Sequence, residues 1–162
     1  MNATKITTGM DRKVTLSTLW IFVTLNYLYC DVVTLMDPVR LRQEITGSVG
    51  GLQLTSGFLL GAAVLVEIPI AMVLLSRVLK PGANRWANII AGILMTVVQS
   101  ATLFVGGGPT PYYIFFSVLE IACTAFIIWY AWTWPRPESG VLPGADSGLS
   151  NARQSEKQEV GI

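Results

Sequence analysis

Four stretches of this chain, 16–36, 55–79, 86–106 and 111–134, are each apolar for about the roughly 20 residues that a helix needs to cross a hydrocarbon core of about 30 Å. They are predicted to be transmembrane helices. Composition agrees, with 52% of the residues apolar and only 13% charged. In 162 residues there is room for one compact bundle and no second domain. The fold class expected is an all-α membrane protein, a four-helix transmembrane bundle with a short external interfacial helix after the first span. The organisation is a cytoplasmic N-terminus at 1–15, the four-span domain at 16–134 and a disordered cytoplasmic tail at 135–162.

The first span follows Lys5, Arg12 and Lys13, a charged start like that of a signal peptide, but it is too long and no small-x-small cleavage site follows it. It reads as a retained anchor. A lipoprotein reading of Cys30 fails because Tyr27, Leu28 and Tyr29 place bulk where small residues are needed. Basic residues set the orientation. Three lie in the N-terminus, three (Arg77, Lys80, Arg85) between spans two and three, and three (Arg136, Arg153, Lys157) in the tail, nine of the chain's eleven. Only Arg40 and Arg42 lie on the other side, so both termini are expected in the cytoplasm. There the Asn2-Ala3-Thr4 sequon is a chance match. A net charge of +1 with dispersed basic residues gives no field that would recruit nucleic acid.

Asp37 followed by Pro38 is a helix start, so a short helix over about 38–46 is expected on the membrane surface, ending near Gly47, with Gly50 and Gly51 leading into the second span. Lys80-Pro81-Gly82 and the GGGPTP run at 106–111 are turn signals, and short loops make successive helices antiparallel neighbours. After Trp134 the chain turns to Pro, Gly, Ser and charge, which cannot bury enough apolar surface to order itself. Tyr112, Tyr113, Trp129, Trp132 and Trp134 at the ends of the fourth span read as interfacial anchors, as do Trp20 and Trp86.

Against this apolar background Asp31, Glu67 and Glu120 stand out, because no Lys, Arg or His lies at comparable depth. Ionisable groups in a bilayer are costly and mark candidate sites. At a rise of about 1.5 Å per residue, Asp31 lies roughly 8 Å, Gln99 roughly 10 Å, Glu120 roughly 14 Å and Glu67 roughly 18 Å below the external boundary. Helical spacing aligns Thr24, Tyr27, Asp31 and Thr34 on the first span, and Tyr113, Ser117, Glu120 and Thr124 on the fourth. The third span carries Asn88, Gly92, Thr96, Gln99 and Gly106 on one stripe, and the second Ala63, Glu67 and Ala71. These faces are expected to meet inside the bundle around a polar pocket that opens outward.

Burial and mutual proximity both disfavour charge on such carboxyls, so at least one is expected to hold its proton near neutrality and to exchange it with a proton or cation. Glu67, Glu120 and Asp31 are therefore the candidate proton- or cation-binding residues, supported by Tyr27, Gln99, Ser117, Thr124 and Asn26. The competing reading is structural, with neutral carboxyls bonding Tyr, Thr or Gln on neighbouring helices. Pro69, two residues after Glu67, frees the Leu65 carbonyl and predicts a kink there. Gly57 and Gly61 form a GxxxG spacing suited to helix packing, within the chain or between chains. Cys30 and Cys123 stand alone on different spans and His is absent, so neither a metal site, nor a cofactor, nor serine–histidine hydrolysis is expected.

The segments Leu16–Val23 with Asn26, Tyr27 and Asp31, then Glu67-Ile68-Pro69-Ile70-Ala71-Met72, then Leu75-Ser76-Arg77 through Asn84-Arg85-Trp86-Ala87-Asn88, resemble an uncharacterised family of small bacterial four-helix membrane proteins, classified as a domain of unknown function. The resemblance covers about residues 14 to 134 and implies a multi-pass protein of the bacterial cytoplasmic membrane, with no activity to carry over. The architecture is also similar to four-helix proteins associated with quinone or thiosulfate oxidation, without a signature of theirs. Small multidrug exporters likewise rely on a membrane-embedded glutamate, but in their first helix, whereas the deep glutamates here lie in the second and fourth. Three readings follow. The leading one is proton- or cation-binding transport by a non-enzymatic membrane protein. The others are a membrane subunit or scaffold that packs, in the bilayer, against a second copy or another membrane protein, and a quinone-linked redox component.

Overall fold

The computed structural model of the chain describes residues 3–49, 51–104 and 108–134. The tail expected at 135–162 lies outside the described residues, as do Gly50, Gly106 and Gly107. Helix α1 runs Ala3–Met36, α2 Pro38–Ile45, α3 Ser56–Val78, α4 Pro81–Thr102 and α5 Pro111–Trp132, and two short strands, β1 Ser48–Val49 and β2 Leu52–Gln53, sit between α2 and α3.

The first helix starts well before the expected span, passing through Arg12 and Lys13 without a break. It stops where Asp37 begins a new helix. The Asp37 side chain accepts from the N–H of Val39 at 2.9 Å and of Arg40 at 3.5 Å, and Pro38 takes the first helical position, where its missing N–H leaves no bond unmade. The cap turns the chain onto α2. Gly47, with φ +75°, ends α2. Where a plain lead into the next helix is expected, Ser48 pairs with Gln53 and Val49 with Leu52 in a small antiparallel hairpin. Gly51, at φ +86°, takes the left-handed backbone that the tight turn requires. Thr55 then caps α3 by accepting from Phe58 N–H at 3.2 Å.

Helix α3 passes through Pro69 and ends at Val78, and Pro81 starts α4 two residues after Leu79, so all but Lys80 of the loop expected over 80–85 is already helical. Asn84 explains the early start. Its side-chain amide donates to the carbonyl of Ser76 at 2.6 Å, tying the first turn of α4 to the last turns of α3. At its other end α4 stops at Thr102, short of the expected 106.

Each long helix packs against two others: α1 on α3 and α5, and α4 on α5 and α3. Gly92 of α4 lies tight against α5, where an added Cβ would lie 2.7 Å from Ile128 Cγ1. The apolar core is small, built around Leu16, Trp20, Val23, Met72, Met95 and Ile127. Polar side chains are buried beside it, among them Ser17, Ser76, Asn84, Asn88, Gln99 and Ser117, while Phe22, Leu60, Leu74, Ile90, Val97 and Phe115 are exposed. A small mixed core with so many large apolar side chains left exposed is unlike a water-soluble domain.

Three helical segments, Met10–Met36, Ser56–Val78 and Pro111–Trp132, are long and apolar enough to cross a membrane. The fourth expected span differs by composition. Helix α4 has 22 residues, but Asn84, Asn88 and Gln99 dilute its apolar character, and all three are buried.

Candidate functional site

Glu120 lies on the inward face of α5, one turn from Ser117 and one from Thr124, and all three are at most 1% exposed. The i, i+3, i+4 spacing puts them on one stripe. Thr124 Oγ1 shares a 2.8 Å hydrogen bond with Thr96 of α4 and donates back to the Glu120 carbonyl, while Gln99 Nε2 of α4 donates to Ser117 Oγ at 2.8 Å. These bonds fasten α4 to α5 above and below the glutamate. The Glu120 carboxyl is left out of them: both its oxygens are buried and neither has a hydrogen-bond partner among the described residues.

Helix α1 closes the third side. Tyr27 and Cys30 lie within electrostatic range of Glu120, and the Tyr27 hydroxyl is itself buried without a partner. Two orphaned polar groups on facing helices, a carboxyl and a phenol, are unusual in a folded interior, where nearly all such atoms are bonded. Cys123 of α5 lies within electrostatic range of Tyr27, its thiol 4.0 Å from the Leu19 carbonyl. Among the described residues no three of His, Cys, Asp and Glu converge as metal ligands.

Toward α2 the helices diverge around a cavity of about 540 Å³ bounded by Asp31, Arg40, Glu44, Phe58, Tyr112 and Tyr113, with Thr34 and Thr102 also on its wall. Its rim is pinned in two places. Tyr112 Oη donates to Asp37 Oδ2 at 3.2 Å, and Arg40 Nη2 donates to the Gly108 carbonyl at 2.8 Å. Tyr113 stands between cavity and core, one turn before Ser117 on the stripe that carries Glu120, with its hydroxyl donating to Thr102 Oγ1 at 2.6 Å.

The three acidic residues singled out in the sequence are thus not assembled into one centre. Glu120 is buried among Tyr27, Gln99, Ser117 and Thr124; Asp31 is exposed on α1 and lines the cavity, within electrostatic range of Glu120; Glu67 is exposed on α3. The expected inward stripe of α3, Ala63, Glu67 and Ala71, corrects to Pro69, Met72 and Ser76, since Ala63 and Glu67 are exposed and Ala71 is half-buried. The physical reason is that Ser76 and Met72 pack into the α1 and α4 seam, which turns Glu67 outward. Asn26 also stays apart, because its amide donates to the Phe22 carbonyl of its own helix at 2.8 Å. Gly57 and Gly61 are exposed, and a Cβ on Gly61 would meet nothing within 4 Å, so their spacing does not serve packing inside the chain.

A second polar cluster lies at the opposite end of the helices, and the sequence reading missed it. Asn88 Oδ1 accepts from Trp20 Nε1–H at 2.7 Å and from Ser76 Oγ–H at 3.2 Å, while its Nδ2 donates to both oxygens of Asn84. Ser17 Oγ donates to the Val73 carbonyl at 2.8 Å and accepts from Arg77 Nε at 3.0 Å. Trp20, expected as an interfacial anchor, is fully buried, and Trp134 is 8% exposed, whereas Trp86, Trp129 and Trp132 are exposed. The signal was present in the paired spacings Ser17/Trp20 and Asn84/Asn88, each of which sets two polar groups on one helical face.

Fold and site together define a helical protein with three segments long and apolar enough to cross a membrane and a buried carboxyl that has no hydrogen-bond partner among the described residues. Residues 5–140 match the model of a family of unknown function (DUF6326), and the chain belongs to that family. No curated protein and no solved structure matches the chain.

Proposed function

We propose that the chain is a multi-pass protein of the bacterial cytoplasmic membrane whose Glu120 binds and releases a proton or small cation in a transport cycle. The observation that carries this reading is the Glu120 carboxyl, buried with neither oxygen bonded to any described residue. An ionised carboxylate in such surroundings is very costly, so the group holds its proton until a cation or a change of access replaces it. The Tyr27 hydroxyl, also without a partner among the described residues and within electrostatic range of Glu120, is the candidate to share that exchange.

Helix α4 serves as the fourth span. Its 22 residues cover about 33 Å at 1.5 Å per residue, enough for a hydrocarbon core. Its polar residues are turned inward, and Trp86, Ile90, Ile93 and Val97 are turned outward. With both termini cytoplasmic, α2 and the hairpin lie outside, and the cavity beside Asp31 and Tyr113 is the external approach to Glu120. At the inner end Arg12 and Arg85 sit over the rings of Tyr130 and Trp132, at 5.0 and 5.4 Å, where basic side chains reach for headgroups.

The test is flux. In liposomes with an imposed pH difference and an internal pH-sensitive dye, wild-type protein is expected to carry protons in response to external cation. Glu120→Gln, with unchanged helicity, falls to the rate of protein-free vesicles. Wild-type flux in the Gln variant overturns the reading.

A further inference from the structure

Glu67 is the twelfth of the 23 residues of α3, so it sits at the middle of a segment long and apolar enough to cross a membrane. It is also exposed, and at about 100° per residue the inward residues Pro69, Met72 and Ser76 stand roughly 140–180° around the helix from it. The carboxyl therefore points directly away from the chain's own interior. Exposed Leu60, Val64, Leu74 and Val78 surround it with apolar surface. A single carboxyl presented to lipid at mid-depth is among the costliest arrangements a membrane protein can hold, and such groups face protein instead.

We infer that the α3 face centred on Glu67 is the contact between two copies of this chain, related by a two-fold axis normal to the membrane. This rests on α3 being membrane-embedded, and it is independent of the role given to Glu120. Self-complementarity selects a second copy. In an isologous interface each residue near the axis meets its own equivalent, so Glu67 meets Glu67. A carboxylic acid carries one donor and one acceptor, and two of them satisfy each other by reciprocal O–H···O bonds without any further residue.

The flanking positions suit that approach. Ala63 and Ala71 lie one turn to either side of Glu67, the first exposed and the second half-buried, and small residues at four-residue spacing let helix backbones come close enough for short side chains to bond. Gly57 and Gly61 are roughly 80–120° around the helix from Glu67, so the GxxxG spacing lies beside this face and not at its centre. The distribution of basic residues that places both termini on one side favours the parallel arrangement of the two copies.

Full-length protein labelled with donor or acceptor dye and reconstituted in phosphatidylcholine and phosphatidylglycerol vesicles tests the contact by energy transfer across a range of protein-to-lipid ratios. Wild-type chain is expected to dimerise, and Glu67→Gln, which keeps one donor and one acceptor, to dimerise as well. Glu67→Leu is expected to weaken association about ten-fold. Ala63→Leu with Ala71→Leu does the same by bulk. Helicity and resistance of membrane association to alkaline extraction stay at wild-type levels in all variants. Monomeric wild-type chain at every ratio, or a Glu67→Leu variant that dimerises as wild type, overturns the inference. Wild-type chain released by alkaline extraction would instead overturn the membrane reading beneath it.

Discussion

Asn88 uses its whole side-chain capacity inside the protein, accepting from Trp20 and Ser76 and donating to Asn84, so three helices meet at one amide. Replacing it with Leu keeps the branching and the number of side-chain heavy atoms but strands the indole N–H and the serine hydroxyl without an acceptor. Asn88→Leu is expected to destabilise the fold by about 1–3 kcal/mol, read from reversible unfolding in mixed micelles. The three acids teach the same lesson from the other side. Their chemistry was legible in the sequence, as was the phase of Glu120, because Ser117 and Thr124 share its stripe. The outward direction of Glu67 was not legible: a helix apolar on nearly every face gives periodicity nothing to lock onto, and only packing of Met72 and Ser76 fixes its rotation.

Among elements, α2 was readable almost to the residue because its signals are local: Asp37 caps, Pro38 starts and Gly47 stops it. The hairpin after it was not, since two-residue strands carry no pattern. Helix α2 also carries a pH dependence. The Val39 N–H above all, helped by the Arg40 N–H and the Tyr112 hydroxyl, holds the Asp37 carboxyl below its ordinary value of 3.8. Because the folded value is the lower one, the cap's stabilisation is complete above the ordinary value and is lost as pH falls through the folded one. Hydrogen-exchange protection at Val39 and Arg40 should therefore hold from neutral pH to about 4 and decline below it. In Asp37→Ala it should be low throughout, and equal protection in that variant at neutral pH would contradict the capping role.

At the scale of the whole molecule, hydroxyls, amides and one carboxyl are enclosed beside a small apolar core, while many Leu, Ile, Val, Phe and Trp side chains are exposed on the outer faces. Length and apolarity led to four expected spans; three of the helices are long and apolar enough to cross a membrane, whereas α4 departs from them because its apolar run is diluted by polar residues that serve the interior. The bonding network that ties α4 to α1, α3 and α5 joins residues far apart in sequence, which no local pattern encodes. Within that enclosure the central claim concerns one group, Glu120, held neutral and exchangeable. Infrared spectroscopy of the protein in bilayers at neutral pH measures it most directly. Wild-type protein is expected to show the C=O stretch of a protonated carboxylic acid that is missing from Glu120→Gln, and to lose that band as pH is raised. A spectrum in this region identical in wild type and Glu120→Gln would show the carboxyl to be ionised and contradict the account.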